Sequence, residues 1–415
     1  EDCERLDLDS PHATPATGLP LSSFAARFDR GQEGCLYFDA NSIGPMPLVA
    51  PERLHETLHK GWSQLRRRAW NTLDWLEQPV ALGRDLAPIL GCSAGDVVVG
   101  DSTTINLYKL IRHGLHARQP RRVVVLEREV FPTNRYVAQG IANAGLAQLR
   151  YIDKSADLPQ ALAAGDVAVV ALSHVDYRSS ARWDMAATNA CIHAAGALSL
   201  WDVSHSAGAV AIALSASGAD MAVGCGYKYL CGGPGAPAFG YVHPRLADSA
   251  WPAIWGWMGH ADTFAFEPSY RPAARASRLL SGTPGVLANA VFAAATDIWS
   301  QVNPALMDAQ HRSLTDTLIE LIEQQCAPWP LSLQSPRAHT HRGGHVAWGF
   351  AHANALAQCL CAHGVVVSAR KPDSLRFGVH PLTTRHVDLW HAVQVLRHIL
   401  QTGLWQDPAY AGASV

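Results

Sequence analysis

The sequence predicts an α/β protein, with a mostly parallel sheet in a large domain and a smaller α+β domain at the C-terminal end. Three observations predict it. Between about residues 96 and 242, short apolar runs alternate with longer helical stretches, the pattern of a parallel sheet covered on both faces. Polar residues gather just past the ends of those apolar runs, where such sheets bind ligands. After about residue 325 the character changes, and strands and helices follow in mixed order.

Residues 1–34 are polar, with Pro11, Pro15 and Pro20, and read as an extended arm carrying a short helix near Leu21–Phe28. Leu36–Asp39 is a short strand. The prolines of Ala40-Asn41-Ser42-Ile43-Gly44-Pro45-Met46-Pro47 make the next stretch a loop. Residues 49–90 read as mainly helical and carry Trp62, Trp70 and Trp75. Strands are then predicted at Val97–Val99, Val123–Leu126, Val167–Leu172, Leu198–Val203, Met221–Val223 and Phe239–Val242. Helices are predicted at Thr104–His116, Asn134–Ala144 and Asp184–Ala195. Gly285–Gln325 reads as long helix broken at Pro304. Beyond it, Leu331–Leu333, His345–Phe350, Val365–Ser368 and Leu375–Gly378 are strands, and Ala353–His363 and Thr384–Thr402 are helices. Thr383 or Thr384 would cap the last helix. The division is an arm at 1–48, a large domain at 49–295 and a small domain at 296–415.

The length of 415 residues is too great for a single ordinary core, and 48% apolar residues suffice for two. Lys and Arg number 33 against 35 Asp and Glu, a net charge of −2, which gives no electrostatic case for nucleic acid or an anionic membrane. The nine cysteines form no CxxC pair and no Cys/His spacing for a metal, so free thiols in a reducing cytoplasm are expected. The uncharged stretch Val203 to Ala219 is too rich in Ser and Gly for a membrane span. The chain opens Glu1-Asp2-Cys3 with no basic and apolar leader, so no signal peptide is expected.

The chemistry concentrates in Met221-Ala222-Val223-Gly224-Cys225-Gly226-Tyr227-Lys228-Tyr229-Leu230 and the Cys231–Gly235 loop after it. A strand runs into glycines, and Lys228 stands between two tyrosines. An amine in such apolar surroundings is costly unless it is solvated, paired or used. Burial lowers a lysine's pKa and frees the nucleophilic amine that forms a Schiff base with an aldehyde. A lysine snorkelling from a turn is the ordinary alternative. Asp202, in Trp201-Asp202-Val203-Ser204-His205, ends a strand and could hold a pyridinium N–H, making the ring an electron sink. His205 could orient Asp202 or bond a phosphate. Asp101-Ser102-Thr103-Thr104 lies between a strand and a helix, where backbone N–H groups and hydroxyls bind phosphate. There is no GxxxxGK[ST] loop for a nucleotide triphosphate. Phe131-Pro132-Thr133-Asn134 brings an aromatic to another strand end, and Ser173-His174-Val175-Asp176 follows a fourth. Each stretch has an ordinary capping or packing role. Together they make the set that a pyridoxal phosphate site on a parallel sheet needs.

With these residues placed, the chain resembles kynureninase, in the aspartate-aminotransferase-like, fold-type I group of pyridoxal phosphate enzymes. The resemblance runs from Asp39–Gly44 to Leu375-Arg376-Phe377-Gly378 and is most specific at Gly224–Gly235 and Trp201–Gly208. It implies the PLP-dependent transferase-like fold with a seven-stranded sheet, and a homodimer with its active site at the subunit interface. It implies Lys228 as the Schiff-base lysine, Asp202 on the pyridine nitrogen, and Phe131, with Pro132 and Thr133 beside it, over the ring. Thr103, Thr104, His205 and Tyr227, with Trp257 and Thr283 from the neighbouring subunit, would hold the phosphate; Ser173 matches a further cofactor contact. Asn134 departs from the Asp usual in the family. Arg376 matches the arginine that grips the substrate α-carboxylate, with Asn41, Trp62 and Gly282 also at the substrate. The implied reaction cleaves L-kynurenine with water to anthranilate and L-alanine, in tryptophan catabolism and towards NAD biosynthesis. Lys228 and Asp202 would be catalytic, with Tyr227 as a late proton donor. Trp62, Gly282 and Thr283 resemble enzymes that prefer kynurenine over its 3-hydroxy form. A cysteine desulfurase or selenocysteine lyase of the same fold would need a cysteine within Val365–Arg370, and none is there. An aminotransferase is the other alternative.

Overall fold

The computed structural model describes residues 21–247 and 249–412. The first part of the predicted arm, residues 1–20 with Pro11, Pro15 and Pro20, lies outside the described residues. In chain order the strands are β1 (Leu36–Tyr37), β2 (Val97–Val99), β3 (Val123–Glu127), β4 (Gln148–Ile152), β5 (Val167–Ser173), β6 (Leu198–Asp202), β7 (Met221–Cys225), β8 (Ala238–Val242), β9 (Ser332–Leu333), β10 (His345–Gly349), β11 (Val365–Val366), β12 (Ser368–Arg370) and β13 (Ser374–Gly378).

Seven of them form one sheet in the order β2-β8-β7-β6-β5-β3-β4. Neighbours from β7 through β6, β5 and β3 to β4 run parallel; β8 is antiparallel to both β7 and β2. Valines and alanines fill β3, β5 and β7 because helices cover both faces and leave no polar side to the strands. One layer of core packs Leu86, Val125, Trp201, Phe239 and Phe292; the other packs Leu110, Val124, Val169 and Met221. Ser173 pairs with Asp202, and Asp202 with Val223, so the C-terminal ends of β5, β6 and β7 reach one level. That level is the rim where ligands bind in such sheets.

A four-stranded antiparallel sheet, β12-β13-β10-β9, packs with helices Pro304–Gln325, Ala353–Ala362 and His386–Thr402 around a separate core. That core includes Phe38, and β1 pairs parallel with β11, so the segment after the arm is stitched to the C-terminal sheet.

Some expectations change in detail. Leu21–Phe28 is two 3-10 turns, not an α-helix. Strand β4 escaped the sequence reading because it is an edge strand, largely half-exposed, with Arg and Gln among its apolar residues. The predicted Val365–Ser368 strand is two strands, since β11 serves β1 and β12 serves β13. The last helix is capped by Arg385, not a threonine. Thr384 Oγ1 accepts from the His380 backbone N–H, and Thr383 bonds the His380 ring.

Candidate active site

Strand β7 ends at Cys225, and the chain turns through Gly226, Tyr227 and Lys228. The turn is closed by Cys231 N donating to Lys228 O at 2.8 Å and Gly232 N donating to Gly226 O at 2.8 Å. Lys228 is half-buried, not buried as the sequence suggested, and lines a cavity of about 150 Å³ at the strand-end rim. Its Nζ donates to His205 Nε2 at 2.9 Å and stands 5.9 Å from the centroids of both Phe131 and Tyr227. His205 therefore serves the lysine and makes no bond to Asp202. Burial first, and the Lys228 charge second, hold the His205 pKa well below the usual imidazole value, so the ring is a neutral acceptor. The loop expected at the site does reach this turn. Gly44 N donates to Tyr227 O at 2.9 Å, and a Cβ at Gly44 would lie 2.2 Å from Lys228 O, so a side chain there would push the loop away.

Asp202 ends β6 and lines the same cavity. One carboxylate oxygen accepts from Ser204 N at 3.0 Å and the other from Asn134 Nδ2 at 3.1 Å. The position where an Asp was expected thus holds an amide that donates to the carboxylate. Asn134 is buried, and its Oδ1 has no protein partner. Helix Thr103–Ala117 begins at the cavity wall with Ser102, Thr103 and Thr104. Ser102 accepts from Ile105 N, and the remaining N–H groups of the first turn offer an anion seat. Asp101 takes no part in that seat, because its carboxylate pairs with the buried Lys109. Phe131, Thr133 and Ser173 also line the cavity; Pro132 instead starts helix Pro132–Asn143 behind them. Burial raises the Tyr227 pKa, so its hydroxyl stays protonated and able to donate at neutral pH.

Arg376, on β13, is 1% exposed. Nη1 donates to Tyr177 O at 2.5 Å and Nη2 to Ser368 Oγ at 3.0 Å. In the amide orientation that satisfies both its neighbours, Asn41 accepts from Arg376 Nη2 at 3.3 Å and donates to Asp39 at 3.2 Å. A Cβ at Gly378 would strike Asn41, so glycine there is what lets the loop approach the arginine. Arg376 Nε is buried and unpaired, a donor left over for a ligand. Burial lowers the Arg376 pKa to about 10, with Arg370 adding to the effect; the guanidinium stays charged at neutral pH. Tyr177 joins the two groups, because its ring lines the Lys228 cavity beside Phe131 while its carbonyl holds Arg376.

Within this chain, Trp62, Gly282, Thr283 and Trp257 stand apart from both that cavity and the Arg376 cluster. Trp62 is 65% exposed on a broad cleft with Trp70 and Trp75. Gly282 and Thr283 line a separate cavity with Asp101 and Ser281. Trp257 is exposed beside Phe264. The sequence reading missed Tyr177, Ser204 and Val175 as lining residues. Ser204 and Val175 lie within stretches already singled out but were given no role, and Tyr177 is one position past Asp176, so extending that stretch would have found it.

The donor set suits pyridoxal phosphate. An amine faces the cavity for the aldehyde, a carboxylate and a buried unpaired amide oxygen stand together for the ring nitrogen's side, and a helix N-terminus with hydroxyls can take the phosphate.

Residues 307–396 match the model of the kynureninase C-terminal domain family. The kynureninase of Burkholderia pseudomallei (strain 1106a) is 40% identical over 99% of this chain and 98% of its own length. Among solved structures, the apo cysteine desulfurase of Thermococcus onnurineus NA1 superposes with a TM-score of 0.77 at 15% identity, covering 93% of this chain and all of its own. A variant of the enzyme C-DES with glycine covalently linked to its PLP cofactor superposes with a TM-score of 0.77 at 18% identity, covering 90% of this chain and 98% of its own.

Proposed function

Because the chain belongs to the kynureninase family, we propose that it cleaves L-kynurenine with water to anthranilate and L-alanine, using pyridoxal phosphate. The observation that carries this is the meeting of Lys228, Asp202 and the Thr103–Ala117 helix start in one cavity, with the unpaired Arg376 Nε held against its wall through Tyr177. The bound cofactor supplies an electron sink for the pair released at the substrate's Cα.

The residues have these roles. Lys228 carries the cofactor and, once displaced by the substrate amine, takes the Cα proton on Nζ. His205 Nε2 accepts from the resulting ammonium. Asp202, positioned by Asn134 and Ser204, keeps the ring nitrogen protonated. Ser102, Thr103 and Thr104 seat the phosphate with the helix N-terminus, and Phe131 covers the ring. Arg376 binds the α-carboxylate through N–H groups that Tyr177, Ser368 and Asn41 leave free. Tyr227 donates a proton to the departing three-carbon fragment.

The exposed Trp62, Trp257, Gly282 and Thr283 support a homodimer in which a second copy completes each site. Trp62 and Gly282 would then favour kynurenine over 3-hydroxykynurenine. Larger kcat/KM on the hydroxylated substrate would overturn that preference. A cytoplasmic enzyme of tryptophan catabolism, feeding NAD biosynthesis, is the setting that fits. No helix among the described residues is long and apolar enough to cross a membrane. A desulfurase reading gains nothing from Cys359, which is buried, or from Cys361, whose thiol bonds Val367 O.

The test is to incubate purified protein with L-kynurenine and quantify anthranilate fluorescence and alanine. Equal amounts of both are expected. Glutamate from 2-oxoglutarate, with no anthranilate, would make the protein an aminotransferase.

A further inference from the structure

A second imidazole stands behind His205. His345 opens β10, is 0% exposed, and packs edge-on against the His205 ring, with centroids 5.7 Å apart and planes at 61°. Its backbone N donates to Ser180 Oγ at 3.2 Å, which fixes the strand end. Its Nε2 faces the Arg178 carbonyl oxygen at 3.2 Å. A carbonyl can only accept, so Nε2 carries the hydrogen. Burial, reinforced by the Arg376 charge, keeps the ring neutral. The other nitrogen, Nδ1, is then a lone pair, and it has no protein partner.

His205 is the complementary case. Its Nε2 accepts from Lys228, so the hydrogen of the neutral ring sits on Nδ1, which is buried and also unpartnered. An unmatched donor and an unmatched acceptor therefore stand on two rings in contact. Buried polar atoms are rarely left so, and here the two orphans are of opposite kind. The two rings meet edge-on without a hydrogen bond between them, between the Arg178 carbonyl on one side and the lysine on the other.

We propose that His345 is a positioning residue for the reaction: it fixes the tilt and tautomer of His205, and so turns the Nε2 lone pair toward Lys228. Without it, His205 is free to present an N–H to the lysine, donor against donor. The proposal rests on the reading of Lys228 as the cofactor-bearing lysine. It also explains a placement. Arg376 pairs with Ala347 across β10 and β13, and residues two apart on a strand share a face, so His345 and Arg376 stand on the same face of the small sheet. One sheet then supports both the substrate's carboxylate partner and the lysine's partner.

The experiment compares His345→Leu, which removes the acceptor, with His345→Asn, whose Oδ1 lies as many bonds from Cα as the histidine Nδ1 and can replace it. Two quantities are measured: steady-state kcat and KM, and the rate at which cofactor-stripped full-length protein regains visible absorbance on adding pyridoxal phosphate. For His345→Leu, kcat should fall about tenfold with KM within about twofold, the scale of a misplaced reacting group. Cofactor recapture should slow as well. His345→Asn should recover most of both. If His345→Leu precipitates, His345→Gln, whose amide reaches the Nε2 position on the Arg178 carbonyl and leaves the Nδ1 position empty, takes its place. Unchanged kcat and recapture would overturn the proposal. So would an asparagine variant as impaired as leucine, or a raised KM with normal kcat, which would mean action through Arg376. The recapture arm contains no kynurenine, so it stays readable if the wild type makes no anthranilate.

Discussion

Replacing Arg376 with lysine tests the substrate end of the site. The guanidinium holds Tyr177 O and Ser368 Oγ and still keeps a buried Nε–H free. Lysine keeps the charge but has one nitrogen where arginine has three. It cannot satisfy both neighbours and also offer a parallel pair of N–H groups to a carboxylate. The loss is one charge-assisted hydrogen bond, about 1.5–3 kcal/mol, or roughly 10- to 150-fold in kcat/KM. A pH effect follows. Burial takes the arginine down to about 10 from 12.5. The same burial would lower a lysine below its usual value of about 10.4. The variant's cation is lost at lower pH than the wild-type guanidinium, so its KM should climb on the alkaline side before the wild-type KM does. The assay is kcat/KM for L-kynurenine from anthranilate fluorescence across neutral to alkaline pH. Cofactor absorbance and melting temperature serve as controls for folding. A kcat/KM within about threefold of wild type, with no alkaline rise in KM, would show that Arg376 does not hold the carboxylate.

Lys228→Ala should fold, lose the visible absorbance of the bound cofactor and show no turnover; residual turnover would assign the chemistry elsewhere. Tyr227→Phe should keep that absorbance and lower kcat by roughly 10²-fold, the usual worth of a positioned proton donor; an unchanged kcat removes Tyr227 from the scheme. Glu127, at the end of β3, is raised from 4.5 to about 7 by burial, against the opposing hydrogen bond from Trp183 Nε1 at 3.0 Å. The folded protein thus holds this proton more tightly than the unfolded chain. Its contribution to stability is full below about pH 4.5 and lost as pH rises to about 7, up to about 3 kcal/mol. Glu127→Gln, which keeps an oxygen for Trp183, should therefore melt higher than wild type at pH 8 and nearly level with it at pH 5. An equal gap at both pH values would contradict the assignment.

The sheet was legible because its strands are buried on both faces and read as unbroken apolar runs, Val167–Ser173 above all. The exposed edge strand β4 carries no such run and was invisible. At the site, Lys228, Asp202, Asn134 and the Thr103 turn could be read because each follows a strand end, and the register of β5, β6 and β7 brings those ends level. What could not be read is who bonds whom. The pairing of His205 with Lys228, and of Asn134 with Asp202, depends on side-chain directions that strand ends do not fix. His345 and Tyr177 were missed for a related reason. One opens a strand of the other sheet, and the other reaches the cavity with its ring and Arg376 with its backbone. Trp62 and Thr283 line other clefts of this chain, and in the proposed homodimer they would serve a second copy, a role that leaves no local mark in its own chain.

The most direct measurement is borohydride reduction of the purified holoprotein followed by peptide mass mapping. A pyridoxyl phosphate adduct on the peptide containing Lys228, at that side chain, is the predicted result. An adduct on another lysine, or on none, would contradict the whole assignment of the cavity.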